Sequence, residues 1–154
     1  VTIDRFTGEM TFDRGDLLMD IGQSINPGID RGQVIGGFIQ GVGWVTNEEL
    51  RYDDAGHLLS TGPTTYKLPN ITDLPRELNV AFIGNTKHQK NVRQSKAVGE
   101  PPLMLGVAVW MAAKHALSFI GSGDTTRLAI PATGEELLTR MTEQIARPAL
   151  SSKP

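Results

Sequence analysis

Asp30-Arg31-Gly32-Gln33-Val34-Ile35-Gly36-Gly37-Phe38-Ile39-Gln40-Gly41-Val42 is the stretch on which the fold turns. Val34, Ile35, Phe38, Ile39 and Val42 recur at helical spacing, which predicts an amphipathic helix with one buried face. Asp30 is the expected N-cap, since a short acidic side chain can accept a bond from a free N–H of the first turn. The helix is expected to stop between Asn47 and Leu50. A glycine inside a helix costs about 0.8–1.0 kcal/mol relative to alanine, so Gly32, Gly36, Gly37, Gly41 and Gly43 together require a cause. Two causes fit equally: close approach of a ligand or another backbone, or tight packing against a second helix. Gln33 is read at the first turn, where free N–H groups can receive an anion. An exposed polar residue would look the same.

Working outward, Gln23-Ser24-Ile25-Asn26-Pro27-Gly28 is a cluster of turn residues before the helix. Val1 to Asp20 reads as a β-hairpin: Val1-Thr2-Ile3-Asp4 alternates, Thr7-Gly8-Glu9 turns, and Met10 to Asp20 mostly alternates again. A second hairpin is expected over Arg51 to Leu59, turning at Asp53-Asp54-Ala55-Gly56. Ser60 to Glu77 is loop, punctuated by Pro63, Pro69 and Pro75, and Leu78 to Ile83 is a short strand. Lys87 to Lys96 is a polar, basic loop. A long apolar run then extends from Pro102 to Ile120, closed by Gly121-Ser122-Gly123. Pro102 disfavours helical dihedrals at Pro101, so this second helix is expected to start at Pro102 with Glu100 just outside it. At about 19 residues the run has the length of a membrane span, but Lys114 and His115 inside it favour a buried core helix. Gly134 to Ala146 forms a last amphipathic helix with Leu137, Leu138, Met141 and Ile145 on one side. The expected fold class is α+β, with hairpins and a short mixed sheet packed on two main helices.

The whole chain has 154 residues and a net charge of −2, with 15 Lys and Arg against 17 Asp and Glu. No basic excess is available to neutralise phosphates, which weighs against nucleic acid as a partner. The absence of cysteine excludes a disulfide framework, a Cys-ligated metal or cluster and a catalytic thiol within this sequence. His57, His88 and His115 have no ligand spacing between them, so no metal site is expected. The first residue is Val1, and no basic-then-apolar signal segment follows it. The sequence therefore reads as an excised or processed piece of something longer.

Ser95-Lys96-Ala97-Val98-Gly99-Glu100-Pro101-Pro102-Leu103 is the most suggestive stretch for chemistry. A carboxylate beside a helix N-terminus is favoured as the anion by the macrodipole, while desolvation against an apolar run opposes ionisation. Together these suit an ionised carboxylate that is still basic enough to take a proton. On physics alone the plainer reading, a helix-start glutamate that only caps, carries more weight, and Lys96 alone reads as a solvated cation.

The same run resembles the signature of the molybdenum hydroxylases, the xanthine dehydrogenase and aldehyde oxidase family. Asp20-Ile21-Gly22-Gln23-Ser24-Ile25-Asn26-Pro27, continuing through Gly32-Gln33-Val34 and Gln40-Gly41, is similar to the preceding block of that family. Gly62-Pro63-Thr64-Thr65-Tyr66-Lys67-Leu68-Pro69 and the Pro131-Ala132-Thr133 segment with Glu135 resemble further parts of it, in the same order. The resemblance implies that residues 1–154 are a C-terminal segment of the molybdopterin-binding domain of the large subunit. It implies that Glu100 is the general base, taking the proton from a water-derived oxygen that attacks an electron-poor carbon. It also implies that Gln33 hydrogen-bonds the pterin part of a molybdenum–molybdopterin cofactor, and that Lys96, Val98 and Gly99 line it, partly through backbone groups. The capping-only reading of Glu100 then gives way.

The implied enzyme hydroxylates xanthine or hypoxanthine in purine catabolism and passes electrons through 2Fe-2S centres and FAD to NAD. Those centres are expected in partner domains or chains, as are the remaining cofactor contacts. The implied assembly is a cytoplasmic hetero-oligomer with a purine or related small-molecule substrate, no nucleic acid and no membrane. An aldehyde oxidoreductase, a hydroxylase of another N-heterocycle such as nicotinate, or a non-catalytic scaffold fragment stand as alternatives.

Overall fold

The glycine-rich helix, α1, runs from Pro27 to Thr46 in a computed structural model that describes residues 1–85, 87–121 and 127–146. It begins a turn earlier than expected. Pro27 takes the first helical position, where its missing N–H costs nothing, and Asn26 is the cap, its side chain accepting from Ile29 N at 3.2 Å. Asp30 instead lies within the first turn and accepts from Ser24 Oγ at 2.5 Å. Gln33 accordingly sits in the second turn, where its own N–H is spent inside the helix. Asn47 closes α1 through its N–H on the Gly43 carbonyl, within the expected range.

The N-terminal hairpin is shorter than the alternation suggested. β1 (Thr2–Ile3) pairs antiparallel with β2 (Met10–Thr11), and the turn is held by Asp4 N on Glu9 O and Gly8 N on Asp4 O, both 2.8 Å. Gly8 adopts φ +75° there, a conformation that favours glycine. The rest of the alternating stretch forms a separate strand, β3 (Arg14–Met19), which pairs in parallel with β4 (Glu77–Phe82). The strands thus make two two-stranded sheets of opposite sense rather than one mixed sheet. Parallel partners need a long crossover, and here α1 with the loop to residue 76 supplies it. The second hairpin reduces to one antiparallel bridge, Tyr52 with Leu58.

The apolar run after Glu100 is two helices, α2 (Pro101–Leu105) and α3 (Val107–Leu117). The break falls at Gly106, where the backbone of α1 comes too close for a side chain: a Cβ on Gly106 would overlap the Gly41 carbonyl carbon and Val42 N. The first helix starts at Pro101 rather than Pro102, so Glu100 occupies the N-cap position instead of lying outside. Nor is the run buried throughout. α3 hides Val109, Ala113 and Leu117, whereas Met104, Met111 and Phe119 are exposed. Among the described residues, no helix is long and apolar enough to cross a membrane. Ser122 and Gly123, expected to close the run, lie outside the described residues.

α4 (Gly134–Ala146) buries Leu137 and Met141, but its third buried position is Gln144, while Ile145 is 65% exposed. Two apolar clusters hold the molecule together. Phe12, Phe38, Val42 and Val109 gather α1, α3 and the β3–β4 sheet; Ala113, Leu117, Leu128, Ala132, Leu137 and Met141 gather α3 and α4. Val1 and Met10 pack against both. The architecture is α+β, as the sequence predicts.

Candidate active site and cofactor cradle

Two segments carry every residue singled out for chemistry: the entry to α1 and the approach to α2. They are strapped together along their length. Lys96 N donates to Ile21 O and Gln23 N to Gln94 O, each at 2.9 Å, on either side of a bridge between Gly22 and Ser95. Gly22 has φ +66°, and a Cβ there would overlap the Gln94 carbonyl, so glycine alone permits this approach. Opposite it, Arg93 and Gln94 are both left-handed, at φ +52° and +60°. Such backbone costs of order 1–3 kcal/mol per residue and persists only where the surroundings enforce it.

A charged anchor completes the strap. Lys96 Nζ lies 2.6 Å from Asp20 Oδ2, and Asp20 also accepts from Asn85 Nδ2 and Gly22 N, both at 2.9 Å. Lys96 foremost, then Asn85 and the Gly22 N–H, stabilise the charged carboxylate and hold Asp20 down to about 2. Lys96 is therefore engaged by Asp20 through its side chain, and its backbone N–H is engaged by Ile21. Asp20, Asn85 and Gly22 position this region without having been singled out in the sequence. Asp20 and Gly22 fall inside the stretch that resembles the family's preceding block, whereas Asn85 lies in none of the stretches quoted.

Farther along, α1 and α2 meet at bare backbone. A Cβ on Gly37 would stand 3.0 Å from Gly99 O, and one on Gly41 would overlap the Leu103 carbonyl. These two glycines are thus accounted for by helix contact. Gly32 and Gly36 are different: a Cβ on either would meet nothing within 4 Å. They lie one turn apart on an exposed strip of α1 that borders Gln33.

Gln33 joins the two sides. Its Oε1 lies 3.4 Å from where a Cβ on Gly99 would stand, so Gln33 and Gly99 are neighbours in space and Glu100 follows by one residue. All three are exposed, and Val98 is half-buried beside them. Glu100 makes no capping hydrogen bond despite its N-cap position, which leaves its carboxylate free for a proton. The apolar run does not cover it, so the desolvation expected from that run is not supplied within this chain.

A molybdopterin group fits these residues. Gln33 offers both amide donors and an acceptor to a polar ring system, and the bare backbone at Gly32 and Gly36 leaves open space beside it. No group of three or more His, Asp or Glu side chains gathers as a metal site among the described residues.

Comparison with known proteins identifies the family. Residues 1–75 match a family model described as the molybdopterin cofactor-binding domain. Over 99% of its length the chain is 39% identical to xanthine dehydrogenase 1 of Arabidopsis thaliana, of which it covers 12%. It is 42% identical to probable aldehyde oxidase 2 of Oryza sativa subsp. japonica, over 86% of the chain and 10% of that protein. Among solved structures, a Cu,Mo-CO dehydrogenase superposes on 94% of the chain and 18% of its own with a TM-score of 0.79, at 27% identity. The chain spans about an eighth of the curated relatives' length. On these matches the chain belongs to the molybdenum hydroxylase family, that of the xanthine dehydrogenases and aldehyde oxidases.

Proposed function

We propose that this chain supplies the general base and one wall of the cofactor site of a xanthine-oxidising molybdenum hydroxylase, as a C-terminal segment of its molybdopterin-binding domain. The observation that supports the reading is the Gln33 side chain lying beside Gly99, one residue from an uncapped Glu100. Gln33, Val98 and Gly99 would hold the molybdopterin, Gln33 through its side-chain amide and the other two mainly through backbone, while Lys96, its ammonium on Asp20 and its N–H on Ile21, would line the site by positioning that strip. When bound, that group supplies two-electron oxidation chemistry and activates water as the oxygen source. Glu100 takes the proton released from the attacking oxygen at its free carboxylate. The Asp20–Lys96 pair and the Gly22–Ser95 bridge restrain the backbone segment that leads to Glu100.

The rest of the molybdopterin-binding part, 2Fe-2S centres and FAD would come from other domains or chains of a cytoplasmic hetero-oligomer, with NAD as acceptor. In the assembled enzyme, Glu100→Ala is expected to lower turnover at least about 10²-fold, the lower range for a lost general base. Near-normal turnover at full molybdenum content overturns the role. The 42% identity to a probable aldehyde oxidase favours one second reading, an aldehyde or N-heterocycle substrate. Turnover of xanthine, an aromatic aldehyde and nicotinate side by side separates these, and an assembled complex without molybdenum would show a scaffold.

A further inference from the structure

Asp20 accepts more hydrogen bonds than an amide at its place could. Its Oδ1 accepts from the Gly22 N–H at 2.9 Å, and its Oδ2 from both Lys96 Nζ at 2.6 Å and Asn85 Nδ2 at 2.9 Å. All three partners are donors, so only a carboxylate, which accepts at both oxygens, satisfies them together. An asparagine would set its own NH2 against either the Gly22 N–H or the Lys96 and Asn85 donors. The position selects a charge, and one ammonium answers it.

The strip that leads to Glu100 is already tied without this ion pair. Lys96 N on Ile21 O, Gln23 N on Gln94 O and the Gly22–Ser95 bridge are backbone contacts, and they do not depend on either side chain. What the pair alone settles is where the ammonium goes. The Lys96 stem crosses over Gly22, its Cγ 3.4 Å from where a Cβ there would stand, and the side chain is 32% exposed. Such a stem is flexible and has room to turn.

Glu100 lies four positions farther on, a span of at most about 14 Å even for extended chain, and the backbone bends at Gly99 and Glu100. Between Glu77 and Glu100 the sequence has no other acid. Across on α1, Asp30 is held by Ser24 Oγ. Glu100 itself makes neither a cap bond nor an ion pair among the described residues. A cation beside a carboxylate favours its charged form and so makes it a weaker base.

We propose that Asp20 is a positioning residue that holds the Lys96 ammonium away from Glu100, leaving that carboxylate free to accept a proton. The inference rests on the base role proposed for Glu100. Asp20 acts on it only through Lys96.

Two measurements test this. In the whole chain, a water-soluble carbodiimide joins an ammonium to a carboxylate in contact with it, and peptide mass spectrometry reads the pair. The unaltered chain should give a Lys96–Asp20 link, and Asp20→Asn a Lys96–Glu100 link. A Lys96 link to Asp30 in Asp20→Asn, or none at all, overturns the proposal. In the assembled enzyme at equal molybdenum content, Asp20→Asn should lower turnover at least about 10-fold, a fraction of the roughly 10²–10⁴-fold that a general base contributes. Adding Lys96→Met to Asp20→Asn should restore most of that loss. A double variant as slow as the single one means that the pair only braces the strip, and the proposal falls. Near-normal turnover of Glu100→Ala, with the Lys96–Glu100 link present in Asp20→Asn, would instead sink the base role and leave the control of the ammonium standing.

Discussion

Lys96 Nζ lies 2.6 Å from Asp20 Oδ2, closing a loop of 76 positions between the end of β3 and the strip that leads to Glu100. Both side chains are 32% exposed, so the pair is neither a free surface contact nor a sealed one. Because Asp20 is held at about 2, below its ordinary 3.8, the pair stabilises the fold fully above about pH 4. That contribution fades as pH falls through about 2. Acid unfolding should show Asp20→Asn losing less stability between pH 4 and pH 2 than the unaltered chain. Parallel acid-unfolding curves for the two proteins would rule this linkage out.

The glycines of α1 should split into two classes. Gly41→Ala places a methyl group on the Leu103 carbonyl and is expected to cost about 1–3 kcal/mol in urea unfolding, the range for overpacking. Gly36→Ala meets open space and should stabilise the chain by up to about 1 kcal/mol through helix propensity. The same Gly36→Ala change should lower molybdenum content in the assembled enzyme if that strip is the cofactor's side. A gain in both stability and metal loading would move the cradle elsewhere.

Gln33→Ala should reduce molybdenum and pterin retention in the assembled enzyme while leaving the chain folded, since its side chain is exposed. Metal analysis alongside circular dichroism checks this. Unchanged metal content and activity would remove Gln33 from the cofactor.

Asn26→Ala should cost about 1 kcal/mol, because the cap bond to Ile29 N is lost. Asn26→Ser should recover most of it. If thermal melts place Asn26→Ala on top of the unaltered chain, the N-terminus of α1 frays without consequence.

Local chemistry made much of this protein legible. The spacing of Val34, Phe38 and Val42 specifies α1 whatever surrounds it, because a 3.6-residue period needs only a few neighbouring side chains to be seen. Its start was misplaced since Asp30 and Asn26 are both good caps, and Pro27 at the first position decides between them. The Glu100 signature was readable for the same local reason. On α4, the pattern put Ile145 inside, yet Gln144 is the buried position, because tertiary packing and not local spacing sets which side of the helix is covered.

The sequence by itself determined the helices, the α+β class and the run of residues around Glu100, all of which arise from interactions within a few positions. Only the tertiary structure decided that β3 leaves the hairpin to pair with β4, that Gly106 splits the apolar run, and that Lys96 turns to Asp20. Each of these depends on contacts between residues more than 60 positions apart, where backbone approach and charge pairing outweigh local preference. Gln33 and Gly99 belong to that second class: 33 and 99 are distant in the chain, and the packing of α1 on α2 is what makes them neighbours.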